Sequence, residues 1–347
     1  MRTVLEDKRS LIQKFVLSFI LTIWLWVGGL EIGSSTANIN VCPEEMVLIR
    51  GGRFEMGADN SDVVKEISPS EVTVNPFCID KYEVTNAQFA RFVEATGYIT
   101  IAQRPLSKEQ FPHLSDEERL PGSLVFQTPK QSQKISFLSW WHWMPGANWQ
   151  HPFGSNTTIL DKENYPVVHI AYQDALAYAK WLGRSLPTEA QWEYAARGGL
   201  KSTTYTWGNQ YSETKANTWQ GVFPFFNTKA DGYVDVAPVG SFPANGYGLY
   251  DMTGNVWEWT SSWFTKPYQH QNQADSLKVK ERKSFDPKKP TEMALYVIKG
   301  GSYLCAPNYC SRYRPAARES QSPDTGANHI GFRLVKNLPP FQAARRS

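Results

Sequence analysis

Glycine and proline cut this chain into pieces too short for long helices or wide sheets, and aromatic side chains are left to pack them. Its 347 residues include 24 Gly and 22 Pro, with 13 Trp and 14% aromatic residues overall. Glycine tolerates left-handed backbone and proline lacks a backbone donor, so both interrupt regular elements. Large flat side chains can still bury apolar area between irregular segments. The composition points to a loop-rich body packed by aromatics, not a regular layered sandwich; the helices and short strands read below make it α+β. Apolar residues make 41% and charged residues 20%, enough for a sizeable core in one large domain or two. A net charge of +3 without a basic stripe gives no reason to expect a nucleic-acid partner.

The first 37 residues read as a targeting segment. Lys8, Arg9 and Lys14 precede an apolar run from Phe15 to Leu30, and small residues follow as far as Ala37. That run is short for a membrane span and right for a signal-peptide core, with cleavage after Ala37. An uncleaved anchor is the alternative, and only then is a membrane contact expected. Either way residues 42–337, the expected folded body, are expected in a secreted, periplasmic or other extracytoplasmic compartment, where disulfides persist.

Three helices carry start and stop signals. Thr85 and Gln88 form a capping box ahead of NAQFARFVEAT, which Gly97 ends. Asp174 opens DALAYAKWLG, with Leu176, Ala179 and Trp181 expected to face inward. Thr188 and Gln191 repeat the capping box before Gly198-Gly199. Short strands are expected at 46–49, 53–56, 72–74, 167–170, 297–299 and 331–335. The polar stretch 266–290 reads as an exposed loop, and no repeat or interdomain linker is visible.

Cys305 and Cys310 sit in GGSYLCAPNYCSRYRPAAR, with Arg312, Arg314 and Arg318 close behind. Such a Cys-x4-Cys pair can close as a small disulfide, remain as two structural thiols, or present thiolates to a soft metal. Neighbouring positive charge favours deprotonation. Two sulfurs do not complete a tetrahedral zinc site, whereas copper(I) is satisfied by two or three. Two oxygen-rich stretches suit a hard cation or, more simply, capped turns. One holds Asn217 and Asp231; the other, YDMTGNVWEW, holds Asp251 and Glu258.

Together these segments resemble the formylglycine-generating enzymes, or sulfatase-modifying factors. The likeness runs in order through MVLIRGGRFEMG (46–57), DKYEVTNAQFARFVEATGY (80–98), GANWQHP (146–152), YPVVHIAYQDALAYAKWLGRSLPTEAQWEYAARGG (165–199), NTWQG (217–221), NGYGLYDMTGNVWEWTSSWF (245–264) and HIGFRLV (329–335). GNVWEW and GFR occur in lectin-like relatives too; the cysteine pair separates the catalytic group.

The resemblance implies a C-type-lectin-like fold and a copper-dependent oxidase. Its substrate would be a cysteine within Cys-x-Pro-x-Arg of an unfolded sulfatase, converted to Cα-formylglycine with molecular oxygen. By position Cys305 and Cys310 would hold copper(I), with Ser302 beside them as a catalytic residue and Tyr309 and Trp257 lining the substrate pocket. One structural calcium would take Asn217, Asp231 and the carbonyls of Thr218 and Tyr233. A second would take Asp251, Glu258 and the carbonyls of Gly254 and Val256. The protein is expected to act as a monomer. Ala306 stands where the family often has His, Asp251 where it usually has Asn, and Pro315 and Leu334 where some members have structural cysteines. Cys42 and Cys78 remain, as a disulfide or as isolated thiols. His329 replaces an Asn of some relatives, and no role follows for it. The competing class is a non-catalytic lectin-like binding module with Cys305 and Cys310 joined. An iron-dependent sulfoxide synthase of the same superfamily is disfavoured, because six His include no H-x3-H pair.

Overall fold

The computed structural model describes residues 41–58, 69–109, 111–130, 139–264 and 294–339. The targeting segment and the 266–290 stretch lie outside them. Among the described residues, no helix is long and apolar enough to cross a membrane.

Helix α1 spans Asn86–Thr96, α2 Tyr172–Trp181 and α3 Glu189–Ala196. The capping signals of α1 act as read: Thr85 accepts from the Gln88 N–H, and Gly97 closes the helix at φ +64°. Thr188 and Gln191 do the same for α3. Helix α2 begins two residues before Asp174, whose carboxylate instead accepts the N–H of Ala171 at 2.9 Å. The buried face also differs from the expected one. Tyr172, Ala175, Tyr178 and Ala179 point inward, while Leu176 and Trp181 are exposed. Asp174 marks this first turn but sits inside it, as the third helical residue, and caps from there.

Two small sheets frame the body. Met46–Ile49, Phe77–Asp80 and Val335–Asn337 pair antiparallel, bringing the two ends of the fold together. Cys78, in the central strand of this sheet, is bonded to Cys42, with Cα atoms 5.6 Å apart. The other sheet runs in the order Glu319–Gln321, Tyr296–Lys299, Trp257–Trp263, Ile330–Gly331, its last pair parallel. The expected strand 331–335 is therefore split between sheets, and Phe332 and Arg333 in the gap are fully buried. Residues 167–170 form no strand; Val167 donates to the Val84 carbonyl and His169 to that of Ala327, single backbone bonds within a buried loop.

Aromatic packing fills the spaces between these elements. Phe89 of α1 meets Trp149, Tyr178 and Phe332 at centroid distances of 5.4–6.5 Å. Buried charges brace α3 against the second sheet: Lys299 Nζ lies 3.1 Å from Glu193, which also binds Arg197 at 2.7 Å. Such groups are tolerable inside a protein only because each has an opposite charge or a backbone partner.

Candidate active site

The cysteine segment is the connection that leaves strand Tyr296–Lys299 and returns as Glu319–Gln321. It starts at Gly300 and Gly301, with φ of +92° and +73°. A Cβ on Gly301 would lie 2.7 Å from Tyr313 Cα, so glycine is needed for both conformation and space. The turn delivers Ser302 into the interior. Its carbonyl accepts the Cys305 N–H at 2.9 Å, and the Ala306 carbonyl accepts those of Tyr309 and Cys310 at 3.0 and 2.8 Å. These bonds fold the five-residue spacing into compact turns and bring the two sulfurs together.

Both thiols are buried and free. Arg312 Nε donates to Cys310 Sγ at 3.3 Å. The hydrogen bond from Cys305, followed by the Arg312 charge, overcomes burial and lowers the Cys310 thiol to about 6. Burial pushes Cys305 the opposite way, well above an ordinary thiol, reinforced by the neighbouring Cys310. The pair therefore gives up one proton easily and holds the second. The Arg312 contact places the negative charge on Cys310. The Arg314 guanidinium is directed instead to the Ser311 carbonyl and hydroxyl, each at 3.3 Å, so Arg312 is the guanidinium that donates to the sulfur.

The thiols open onto a cavity of about 550 Å³. Trp257 is buried in its wall, held by a 2.8 Å bond from its N–H to the His329 carbonyl. Tyr309 stands at the rim, 42% exposed, stacked on Phe223 at 4.3 Å and edge-on to Trp140 at 5.5 Å. Ser302 Oγ lies 3.1 Å from His329 Nδ1. Arg312 also pairs with Glu319 in the cavity wall. Sequence reading found Cys305, Cys310, Ser302, Tyr309 and Trp257, and all five line this cavity. It missed Trp140, Trp141, Phe223 and Glu319, and gave no place in the cavity to His329, which also lines it. Only the paired tryptophans of SWWHW offered a signal.

The donor chemistry fits a soft two-coordinate metal: two sulfurs in contact, one readily ionised, with a cation to offset the charge. Among the described residues, no group of three or more His, Cys, Asp or Glu is arranged to hold a metal.

The first oxygen-rich stretch does converge. Asp231 accepts the N–H groups of Thr218 and Tyr233 at 3.1 and 3.0 Å, and Asn217 donates to the Asp235 carbonyl at 2.9 Å and to Asn255 Oδ1 at 3.1 Å. Burial raises the Asp231 carboxyl and Glu213 adds repulsion. That imbalance suits a hard cation.

The second stretch is organised differently. Asp251, at φ +57°, accepts the Gly240 N–H at 2.6 Å, and Gly254 turns against the Asn217 carbonyl. Val256 donates to Glu83 at 3.4 Å. Glu258 is paired within the protein: Arg333 donates to its two oxygens at 2.7 and 2.8 Å, and Trp192 Nε1 donates to one at 2.8 Å. Glu83, unnoticed in the sequence, adds a third buried carboxyl. Burial, then the charges of Asp251 and Glu258, push it well up; burial raises Asp251 to about 6.

Residues 34–338 match the family model described as sulfatase-modifying factor enzyme 1-like domain. The chain is 48% identical over 300 residues to the formylglycine-generating enzyme of Mycobacterium tuberculosis, covering 84% of this chain and 97% of that one. It is 38% identical over 334 residues to the inactive C-alpha-formylglycine-generating enzyme 2 of Bos taurus, covering 93% and 98%. The solved structure of PvdO from Pseudomonas aeruginosa shares the fold, with a TM-score of 0.55 at 24% identity over 84% of this chain and 94% of that one. By sequence and by its irregular, C-type-lectin-like α+β fold, the chain belongs to the formylglycine-generating enzyme (sulfatase-modifying factor) family.

Proposed function

We propose that this protein oxidises the cysteine of a Cys-x-Pro-x-Arg segment in an unfolded sulfatase to Cα-formylglycine, with copper(I) on Cys305 and Cys310 and molecular oxygen as electron acceptor. The observation that carries this reading is the free thiol pair, one member acidified by Arg312, in the wall of an open aromatic cavity. Copper bound there would supply the centre at which oxygen is activated.

The remaining work falls to the chain itself. Cys310 offers a sulfur already near ionisation at neutral pH, and Arg312 offsets its charge while anchored to Glu319. Trp140, Trp257 and Phe223 give the cavity apolar walls, which limit water around a bound peptide and suit the proline of the motif. The cavity holds the client carbon near the sulfur pair, so the reaction becomes one of position. The disulfide between Cys42 and Cys78 supports an extracytoplasmic location. A structural calcium at Asn217, Thr218, Asp231 and Tyr233 is part of the proposal. A second cation at Asp251, Gly254, Val256 and Glu258 would relieve the repulsion around Glu83.

The inactive bovine relative keeps a second reading in view, a binding module without chemistry. A synthetic peptide bearing Leu-Cys-Thr-Pro-Ser-Arg separates the two. Mixed with copper-loaded protein, reductant and oxygen, it should lose its thiol and gain an aldehyde by mass spectrometry. The yield should vanish under argon. An intact thiol with the copper site full establishes the binding module instead.

A further inference from the structure

His329 is a polar group in the cavity wall that the reaction as proposed leaves unused. Its ring is held on two sides. Trp141 packs against it at a centroid distance of 4.6 Å, and Ser302 Oγ sits 3.1 Å from Nδ1. The Ser302 hydroxyl is fully buried and accepts the Leu304 N–H at 3.3 Å. Among the described residues, Nδ1 is the acceptor within reach of the hydroxyl proton. Ser302 therefore donates to Nδ1, and the neutral ring carries its own proton on Nε2. Burial lowers the imidazole to about 3, so this neutral form persists across the physiological range. Among the described residues Nε2 has no hydrogen-bond partner, yet the residue lines the cavity and keeps some solvent exposure. The N–H is a fixed donor facing a space that a ligand can fill.

The rest of the lining defines the acceptor. Arg312 is occupied by Cys310 and Glu319, and Gln321 Nε2 donates to the Thr325 carbonyl at 3.1 Å. An extended peptide entering between Trp141 and Trp257 would bury its carbonyl oxygens against ring faces. A carbonyl desolvated without a donor is costly. Resting on the reading of the cavity as a client-peptide site, we propose that His329 is a substrate-binding residue whose Nε2–H donates to a backbone carbonyl of the client beside the reacting cysteine. Ser302 is its positioning partner, selecting the tautomer.

The test uses the non-reacting peptide Leu-Ser-Thr-Pro-Ser-Arg, with binding read from cavity tryptophan fluorescence, so that affinity is measured without turnover. His329→Ala should weaken binding about tenfold, the loss of one buried hydrogen bond. His329→Gln, whose amide nitrogen can reach the position of Nε2, should bind within about threefold of wild type. His329→Asn, which reaches only the position of Nδ1, should resemble the alanine variant. Ser302→Ala should give a smaller loss, because the tautomer is no longer fixed. Thermal unfolding of each variant identifies any that fail to fold. Wild-type affinity in folded His329→Ala, or no recovery in His329→Gln, overturns the proposal. Failure of wild-type protein to make aldehyde from the cysteine peptide is a separate result, which overturns the oxidase reading alone.

Discussion

Two cysteine pairs in one chain have opposite fates. Cys42 and Cys78, 36 residues apart, are bonded at the sheet that joins the two ends of the fold. Cys305 and Cys310 are closer in sequence, share one turn-rich segment and remain free. Proximity does not explain the difference, because the nearer pair is the reduced one. Their surroundings do: the bonded pair is anchored through Cys78 in an antiparallel ladder, whereas the free pair opens onto a cavity and is stabilised in an ionised form by Arg312. One pair restrains the chain, and the other retains its reactivity.

The strongest way to break this contrast is to exchange the roles by mutation. Cys305→Ser or Cys310→Ser should abolish tight copper(I) binding, measured against a copper(I) chelator, and reduce aldehyde yield below detection. One sulfur and one hydroxyl do not suit a soft ion. The unfolding midpoint should move little, since neither thiol is bonded. Undiminished copper affinity in either variant would remove the metal assignment.

The other pair should respond in the reverse sense. Opening the disulfide with Cys42→Ser and Cys78→Ser frees a loop of this length and should cost about 4 kcal/mol by the chain-entropy estimate. Urea unfolding would measure that loss at a temperature where the variant remains folded. Peptide oxidation at the same temperature should continue. Parallel losses of stability and activity would mean that the sheet and the cavity are not separable.

A pH series probes the free pair more finely. A thiol lowered to about 6 becomes thiolate as pH rises through that value. Alkylation of Cys310 by iodoacetamide should therefore climb between pH 5 and 7, following about one proton, and then level off. Arg312→Gln removes the favourable charge, so the curve should move to higher pH and the rate at pH 6 should fall several-fold. A wild-type midpoint near 8.5, the ordinary thiol value, would show that Arg312 does not act on the sulfur.

These contrasts were unevenly legible in the sequence. Capping boxes at Thr85 and Thr188 were readable because they are local: each side chain bonds within four residues of itself. The cysteine segment was readable because glycine, serine and both thiols are contiguous. Helix α2 was misjudged because Asp174 caps from inside the first turn, and a single-residue signal does not distinguish that from a start. The pairing of Glu258 with Arg333 spans 75 residues, so no local signal announces it. His329 lies 27 residues from Ser302, and the sheet alone brings them together. Long-range pairing of charges was the part that local pattern could not supply.

The smallest expected effect concerns the noncovalent bracing of the free pair. Asp231 binds the N–H of Thr218, and the adjacent Trp219 N–H donates to the Cys305 carbonyl at 2.9 Å. Whatever orders Asp231 therefore reaches the thiol segment through two bonds. Burial raises the Asp231 carboxyl, so its contribution to stability is favourable below the usual carboxylate range and is lost as pH rises through the raised value. At neutral pH a cation should offset that loss, and calcium at about 100 times its Kd would add roughly 2.7 kcal/mol. Asp231→Asn removes the charge and one of the two acceptors. In calcium-free buffer it should cost on the order of 1 kcal/mol, and added calcium should no longer raise the melting temperature. Cys310 alkylation should change by no more than roughly twofold, since Arg312 is untouched. A calcium-dependent rise that survives in Asp231→Asn would leave the carboxylate with the simpler task of capping two amides, and the free thiol pair would then depend on protein packing alone.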